Sequence, residues 1–139
     1  MPGSVALSDP VSLPVGKEPT LRIVPMPADT NYAGSIFGGW ILSQVDIAGS
    51  IAAIRRARGP ITTVAVNSVE FHEPVFVGDL VSCYAEVLRV GRTSITVQVE
   101  VYAERNPSRA ECIKVTQAVL TYVALDEHRR PRVVPPENV

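Results

Sequence analysis

Charge of one sign, cysteine and long apolar runs are all in short supply in this sequence. Thirteen Lys and Arg against fourteen Asp and Glu leave a net charge of −1, which provides no electrostatic footprint for nucleic acid or an anionic membrane surface. The two cysteines, Cys83 and Cys112, lie far apart and form no CxxC pair. They read as small apolar core residues in a reducing compartment rather than as a disulfide. The longest stretch without charge, Thr30 to Val45, holds glycines, Asn31, Ser35, Ser43 and Gln44 and is too polar to span a bilayer. The N-terminus has no basic start leading into an apolar core, so no secretory signal is expected and the expected location is cytoplasmic. Also missing are a GxSxG nucleophile elbow, a His/Cys cluster at metal spacing, a GxGxxG motif and a P-loop. What is there is 46% hydrophobic and 19% charged residues in a chain of 139, enough for one domain with a sizeable core and unlike a disordered chain.

Prolines and glycines punctuate both ends. Residues 1–18 read as a flexible N-terminal tail, 19–126 as the single folded domain, and 127–139 as a C-terminal tail in which Arg129, Arg130, Pro131, Arg132, Pro135 and Pro136 build no regular element. Thr20 to Pro25 is a short extended segment, followed by a loop through Pro27, Asp29, Asn31 and Gly34. From Gly38 the pattern is helical and stops at Gly59-Pro60. Trp40, Ile41, Leu42, Val45, Ile47, Ala48, Ile51, Ala52 and Ile54 cover nearly every side of this helix, which predicts a buried one. Arg55, Arg56 and Arg58 suit the dipole of its last turn. Strands are expected over Thr62–His72, Leu80–Val90 and from Ile95, with Gly91-Arg92 as a hairpin tip. Ile95, Val97, Val99, Val101 and Ala103 alternate with polar residues, which predicts one buried face. Asn106-Pro107-Ser108 reads as a loop. Cys112 to Leu125 is apolar on both faces and is expected to be covered twice. The class is therefore α+β: a long central helix wrapped by a five- to six-stranded antiparallel sheet. A single sheet of this kind leaves an open edge and a partly covered face, so self-association, at least as a dimer, is expected.

Asp46 is the one charged side chain between Thr30 and Ile54. Burying a carboxylate is costly unless it is paired, and positions i±3 and i±4 are Ser43, Leu42, Gly49 and Ser50, none of them cationic. Either Ser43, Ser50 or a distant arginine satisfies it, or it is a functional carboxylate at a pocket or interface. Gly38-Gly39 opens the helix where the first N–H groups have no intrahelical partner. The pair is either a tight entry needing positive φ or an oxyanion hole that lets a carbonyl approach. Gly39 and Asp46 are about 10 Å apart along the axis, far for direct contact with one reactant unless a neighbouring subunit contributes. Asn31 is a turn residue or an amide that orients water. Arg92, beside Gly91, Thr93 and Ser94, is a solvated turn arginine or a phosphate ligand.

Together these features resemble the YciA-type hotdog-fold acyl-CoA thioesterases. The motifs are Asn31-x2-Gly34-x2-Phe37-Gly38-Gly39-x6-Asp46, Phe71-His72-x-Pro74-Val75-x-Val77-Gly78-Asp79, Gly91-Arg92-Thr93-Ser94 and Thr121-Tyr122-Val123-Ala124-Leu125-Asp126, spread over about residues 20–135. The resemblance implies hydrolysis of an acyl-CoA thioester at a dimer interface. Asp46 of one subunit, as general base or nucleophile, would face Asn31 and the Gly38-Gly39 helix start of the other. It assigns the pantetheine channel to Ser68 and Phe71 and the nucleotide end to Arg92, Thr93 and Ser94. It implies a trimer of dimers and no metal or cofactor, coenzyme A entering only as part of substrate and product. Lys114-Val115-Thr116-Gln117-Ala118 departs from the family's Lys-Ala-Thr-Glu-Ala. Two other readings are a hotdog hydratase or dehydratase, which would rest on His72, and a non-catalytic acyl-CoA-binding protein.

Overall fold

A computed structural model describes residues 11–106 and 111–137. In chain order the elements are β1 (Leu21–Ile23), a 3-10 turn (Pro27–Asp29), α1 (Gly38–Ala57), β2 (Ile61–Phe71), β3 (Leu80–Val90), β4 (Ser94–Arg105) and β5 (Glu111–Ala124). Five antiparallel strands form one sheet in the order β1-β3-β4-β5-β2, and α1 packs across it. This is the α+β architecture expected, with five strands. Residues 1–10 of the expected N-terminal tail, and Pro107 and Ser108 of the expected loop, lie outside the described residues. Asn106 closes β4 in the left-handed conformation, φ 51°, which asparagine tolerates better than most residues.

The alternation in β4 does what period two demands. Ile95, Val97, Val99 and Val101 are fully buried against α1, and Gln98 and Glu100 point the other way, half-buried. Cys83 sits in the same core, and burial pushes its thiol up to about 12. Both cysteines are free. Two expectations change. The helix is buried on one stripe only, Ile41, Gln44, Val45, Ala48, Gly49, Ala53 and Ala57, while Ile47 and Ile54 are 47% and 44% exposed. A sheet on one side can cover only one face of a helix, so its remaining apolar residues stay uncovered in the single chain. Within the single chain β5 is likewise covered on one face: Val119, Thr121 and Val123, on its outward face, are only half-buried.

Among its described residues the C-terminal segment forms no helix or strand, and it is tied to the body by hydrogen bonds. Arg132 donates from Nη2 to Ala57 O (2.7 Å) and from Nε to Leu125 O (2.9 Å). Val134 N–H bonds Arg92 O at 2.9 Å, and its side chain is buried. Arg56 Nη1 reaches Pro135 O at 2.7 Å. Arg132 thus supplies a cation and a donor to the last carbonyls of α1, beyond the left-handed cap at Arg58. Ending the chain at Arg130 removes Val134 burial (about 1.5 kcal/mol) and this cap (about 0.5–1 kcal/mol). The expected result is a loss of about 2–2.5 kcal/mol, read as a lower urea midpoint at fixed protein concentration. An unchanged midpoint would refute it.

Candidate active site

The helix start is held by backbone bonds. Asn31 N–H donates to Ser35 O (2.7 Å), Ile36 N–H to Val75 O (2.8 Å) and Phe37 N–H to Asp29 O (3.0 Å). The Asn31 side chain closes its own loop. Oδ1 accepts from the N–H groups of Ala33 and Ser35, and Nδ2 donates to Ser35 Oγ, an Asx-type turn. Gly34 supplies the positive φ this loop requires, +96°. Phe37 caps α1 without a side-chain hydrogen bond, and its carbonyl takes the N–H groups of Trp40 and Ile41.

Gly38 and Gly39 stand ahead of these in the first turn and are exposed. Among the described glycines, positive φ occurs at Gly16, Gly34 and Gly78, not at Gly38 or Gly39. A Cβ at Gly38 would make ordinary contact with the Phe71 ring at 3.7 Å, and one at Gly39 would meet nothing within 4 Å. Neither backbone strain nor crowding within the chain calls for glycine at this helix start.

Asp46, half-buried on α1, lines an open cleft of about 320 Å³ with Gly39, Leu42, Ser43, Thr63, Val66 and Leu120. The residues that satisfy it are not those the sequence suggested. Ser43 and Ser50 bond the helix carbonyls of Gly39 and Ile47. Asp46 Oδ1 instead accepts from Thr63 Oγ1 (2.8 Å) and from the Tyr122 hydroxyl (3.1 Å). Burial, with the Asp46 charge beside it, pushes the Tyr122 phenol far above its ordinary range, so it stays a donor. Sequence reading missed both partners, although a signal was present. A tyrosine in register with the core residues of β5 needs an acceptor, and the apolar helix beneath it carries one carboxylate.

The remaining sequence candidates are dispersed over the chain. Phe71, 51% exposed, ends β2 against Gly38. Gly38, Phe71 and His72 border a separate cleft from that of Asp46. Ser68 pairs with Val119 and Phe71 with Thr116, three residues apart and so on opposite faces of the strand. Arg92 is exposed at the β3–β4 hairpin, where the carbonyls of Arg92 and Thr93 accept from Val134 and Ala124, and Ser94 O accepts from Gly91. Lys114 is engaged by Glu100 and Gln117, both at 2.8 Å. His72 lies 3.8 Å from Glu70 and borders the cleft of Gly38 and Phe71 rather than that of Asp46. No group of three or more His, Cys, Asp or Glu that could hold a metal ion occurs among the described residues.

The model of the thioesterase superfamily matches residues 33–122. The chain belongs to this superfamily. An uncharacterized acyl-CoA thioester hydrolase of Haemophilus influenzae is 49% identical over 120 residues, 85% of this chain and 78% of its own length. The acyl-CoA thioester hydrolase YciA of Escherichia coli K12 is 44% identical over 119 residues, 84% of this chain and 90% of its own. A hexameric hotdog-fold thioesterase of Campylobacter jejuni superimposes with a TM-score of 0.81 at 50% identity, covering 86% of this chain and 91% of that one. The fold of this superfamily member is the hotdog. The matched span contains Gly38, Gly39, Asp46, Thr63 and Tyr122.

Proposed function

We propose that the chain hydrolyses the thioester of fatty acyl-CoA, releasing coenzyme A and a carboxylate. One observation carries the reading: the Asp46 carboxylate, half-buried on α1, lines a cleft with Gly39, a helix-start glycine that the chain's own packing does not require. The substrate class rests on the relatives' acyl-CoA activity. In the general-base form, Asp46 removes a proton from water as its oxygen bonds the thioester carbonyl carbon. The oxyanion is met by the N–H groups of Gly38 and Gly39 at the positive end of the helix dipole. Collapse breaks the C–S bond, and the thiolate recovers the proton from Asp46. Direct attack by Asp46, giving an anhydride that water then hydrolyses, is the nucleophilic form. No cofactor takes part in either route.

A second copy completes the site in this proposal. β2 is a sheet edge with Val64, Val66 and Phe71 54%, 51% and 51% exposed, the kind of edge that invites pairing. Ile47 and Ile54 of α1 are uncovered as well. Pairing there would bring Asn31 and the Gly38-Gly39 start of one subunit toward Asp46 of the other, and three such dimers would give the hexamer seen in relatives. Ser68 and Phe71 would border the pantetheine arm from the two faces of the β2 edge. Arg92, Thr93 and Ser94 would take the nucleotide end. No helix among the described residues is long and apolar enough to cross a membrane, and acyl-CoA as substrate favours a cytoplasmic location.

The test is thiol release from acyl-CoAs between acetyl and palmitoyl, with native mass measured alongside. Release is expected, and none from any chain length would refute the reading. Gly39→Ala tests the oxyanion site separately. Alanine is the better helix former by up to about 1 kcal/mol, so the thermal midpoint should hold or rise. The new methyl should hold the carbonyl away from the helix start and lower kcat at least about tenfold. Full activity in Gly39→Ala would remove the helix start from the mechanism.

A further inference from the structure

We propose that the cleft at the C-terminal end of α1, lined by Arg55, Arg56 and Arg58, binds a polyphosphate anion, the chemistry shared by a free nucleoside polyphosphate and the phosphates of coenzyme A. Such a site is independent of the thioesterase reading. The cleft has a volume of about 400 Å³, within the range of about 300–1,000 Å³ usual for small-molecule sites. Three guanidinium groups line it against one carboxylate, Glu137. The planar guanidinium fork matches phosphate oxygens and keeps its charge at any working pH. The opposite wall is formed by Thr20, Ala85 and Val87, where the pairing of β1 has ended at Cys83 and the rest of β3 is an open sheet edge.

Helix capping does not account for these side chains. Cations suit a helix C-terminus, but the last carbonyls have other partners. Arg132 donates to Ala57 O and the Arg58 N–H to Ile54 O. Arg56 Nη1 donates instead to Pro135 O at 2.7 Å. A guanidinium carries five donors, and this one bond fixes where the others stand. Arg55 is exposed and, among the described residues, makes no hydrogen bond or ion pair. Like charges around one cleft repel one another, and a bound anion relieves that repulsion. The cleft is also separate from that of Asp46. Arg55 lies nine residues beyond Asp46, about two and a half turns, so the two side chains leave opposite sides of the helix. The Asp46 cleft faces β2 and β5 through Thr63, Val66 and Leu120. The arginine cleft faces β3, toward the other end of the sheet.

The experiment is equilibrium dialysis of the native assembly against inorganic tripolyphosphate at about 50 and 200 mM salt, for wild type, Arg55→Glu and Arg56→Gln, with native mass recorded for each. Wild type is expected to bind one tripolyphosphate per chain, more weakly at the higher salt. Arg55→Glu and Arg56→Gln should each weaken binding about tenfold or more, the loss of a charged hydrogen bond. Arg56→Gln keeps an amide donor for Pro135 O and decides alone if Arg55→Glu changes the native mass. Two arms identify the source of the phosphates. A KM for acyl-CoA raised in Arg55→Glu, with KM for the same acyl group on pantetheine unchanged, assigns the cleft to the substrate's own phosphates. An unchanged KM for acyl-CoA, with ADP displacing tripolyphosphate, assigns it to a free nucleotide. No binding of tripolyphosphate by wild type up to millimolar concentration, or equal affinity in wild type and a variant of unchanged mass, would overturn the site. Absence of thiol release by wild type would overturn the thioesterase reading and leave the dialysis to decide the site by itself.

Discussion

Asp46→Asn is expected to leave the assembly intact and to lower thiol release by about three orders of magnitude. Asparagine has the shape of aspartate and keeps an Oδ1 acceptor, so the bonds from Thr63 and Tyr122 persist and the helix stays seated. What is lost is the negative charge and the proton-accepting oxygen. Removal of a positioned general base typically forfeits about 10²–10⁴ in rate, which is about 3–5 kcal/mol of barrier at 1.36 kcal/mol per tenfold. A nucleophilic carboxylate would be missed at least as much. The check is kcat on the best acyl-CoA with native mass recorded for the same sample. Retention of more than about a tenth of the wild-type rate, against the expected range, would mean that Asp46 is a structural carboxylate satisfied by its two hydroxyls.

The largest expected effect on stability is at Asp79. This side chain is 2% exposed and receives both arms of the Arg105 guanidinium, Nε to Oδ1 at 3.0 Å and Nη2 to Oδ2 at 2.9 Å. Its Oδ2 also accepts the Phe76 N–H. Arg105 Nη2 continues to Pro74 O, and its guanidinium lies 4.8 Å from the Phe76 ring centre. Asp79→Ala leaves a partly buried guanidinium and a loop N–H without their carboxylate. Breaking one side of such a pair costs about 3–5 kcal/mol, far above the ~1 kcal/mol of an exposed pair such as Lys17–Glu86. Urea unfolding at one fixed protein concentration would show it as a lower midpoint, and a change below about 1 kcal/mol would overturn the assignment. The consequence should extend to the site. The loop this pair braces presents Val75 O to Ile36 N–H, one of the bonds that set the angle at which the chain enters α1 and therefore where Gly38 and Gly39 point. A folded Asp79→Ala protein is accordingly expected to show reduced kcat as well.

Much of the fold was legible because the signals that encode it are local. β3 was expected over Leu80–Val90 and forms there, since turn residues bracket an apolar run on both sides. α1 ends near Gly59-Pro60 as expected, although the residue in the left-handed cap is Arg58. Asp46 stood out because a lone charge on an apolar helix requires an explanation from physical chemistry alone. The resemblance of motifs then supplied a chemistry that spacing could not.

Three things were decided only in three dimensions. The helix looked buried on every side because hydrophobicity records the whole burial a residue seeks, including burial against other copies, whereas one sheet covers one stripe. The C-terminal segment looked like a tail because its hold on the body is made through backbone carbonyls and one arginine, Arg132, and such bonds leave no period in the sequence. The partners of Asp46 lie 17 and 76 residues away, on strands whose mutual register no local pattern specifies. The sequence by itself determined the elements, their order and the one carboxylate on the helix that calls for partners. The tertiary structure decided which hydroxyls hold that carboxylate, through the pairing of β2 with β5, because only packing brings distant residues within hydrogen-bonding distance.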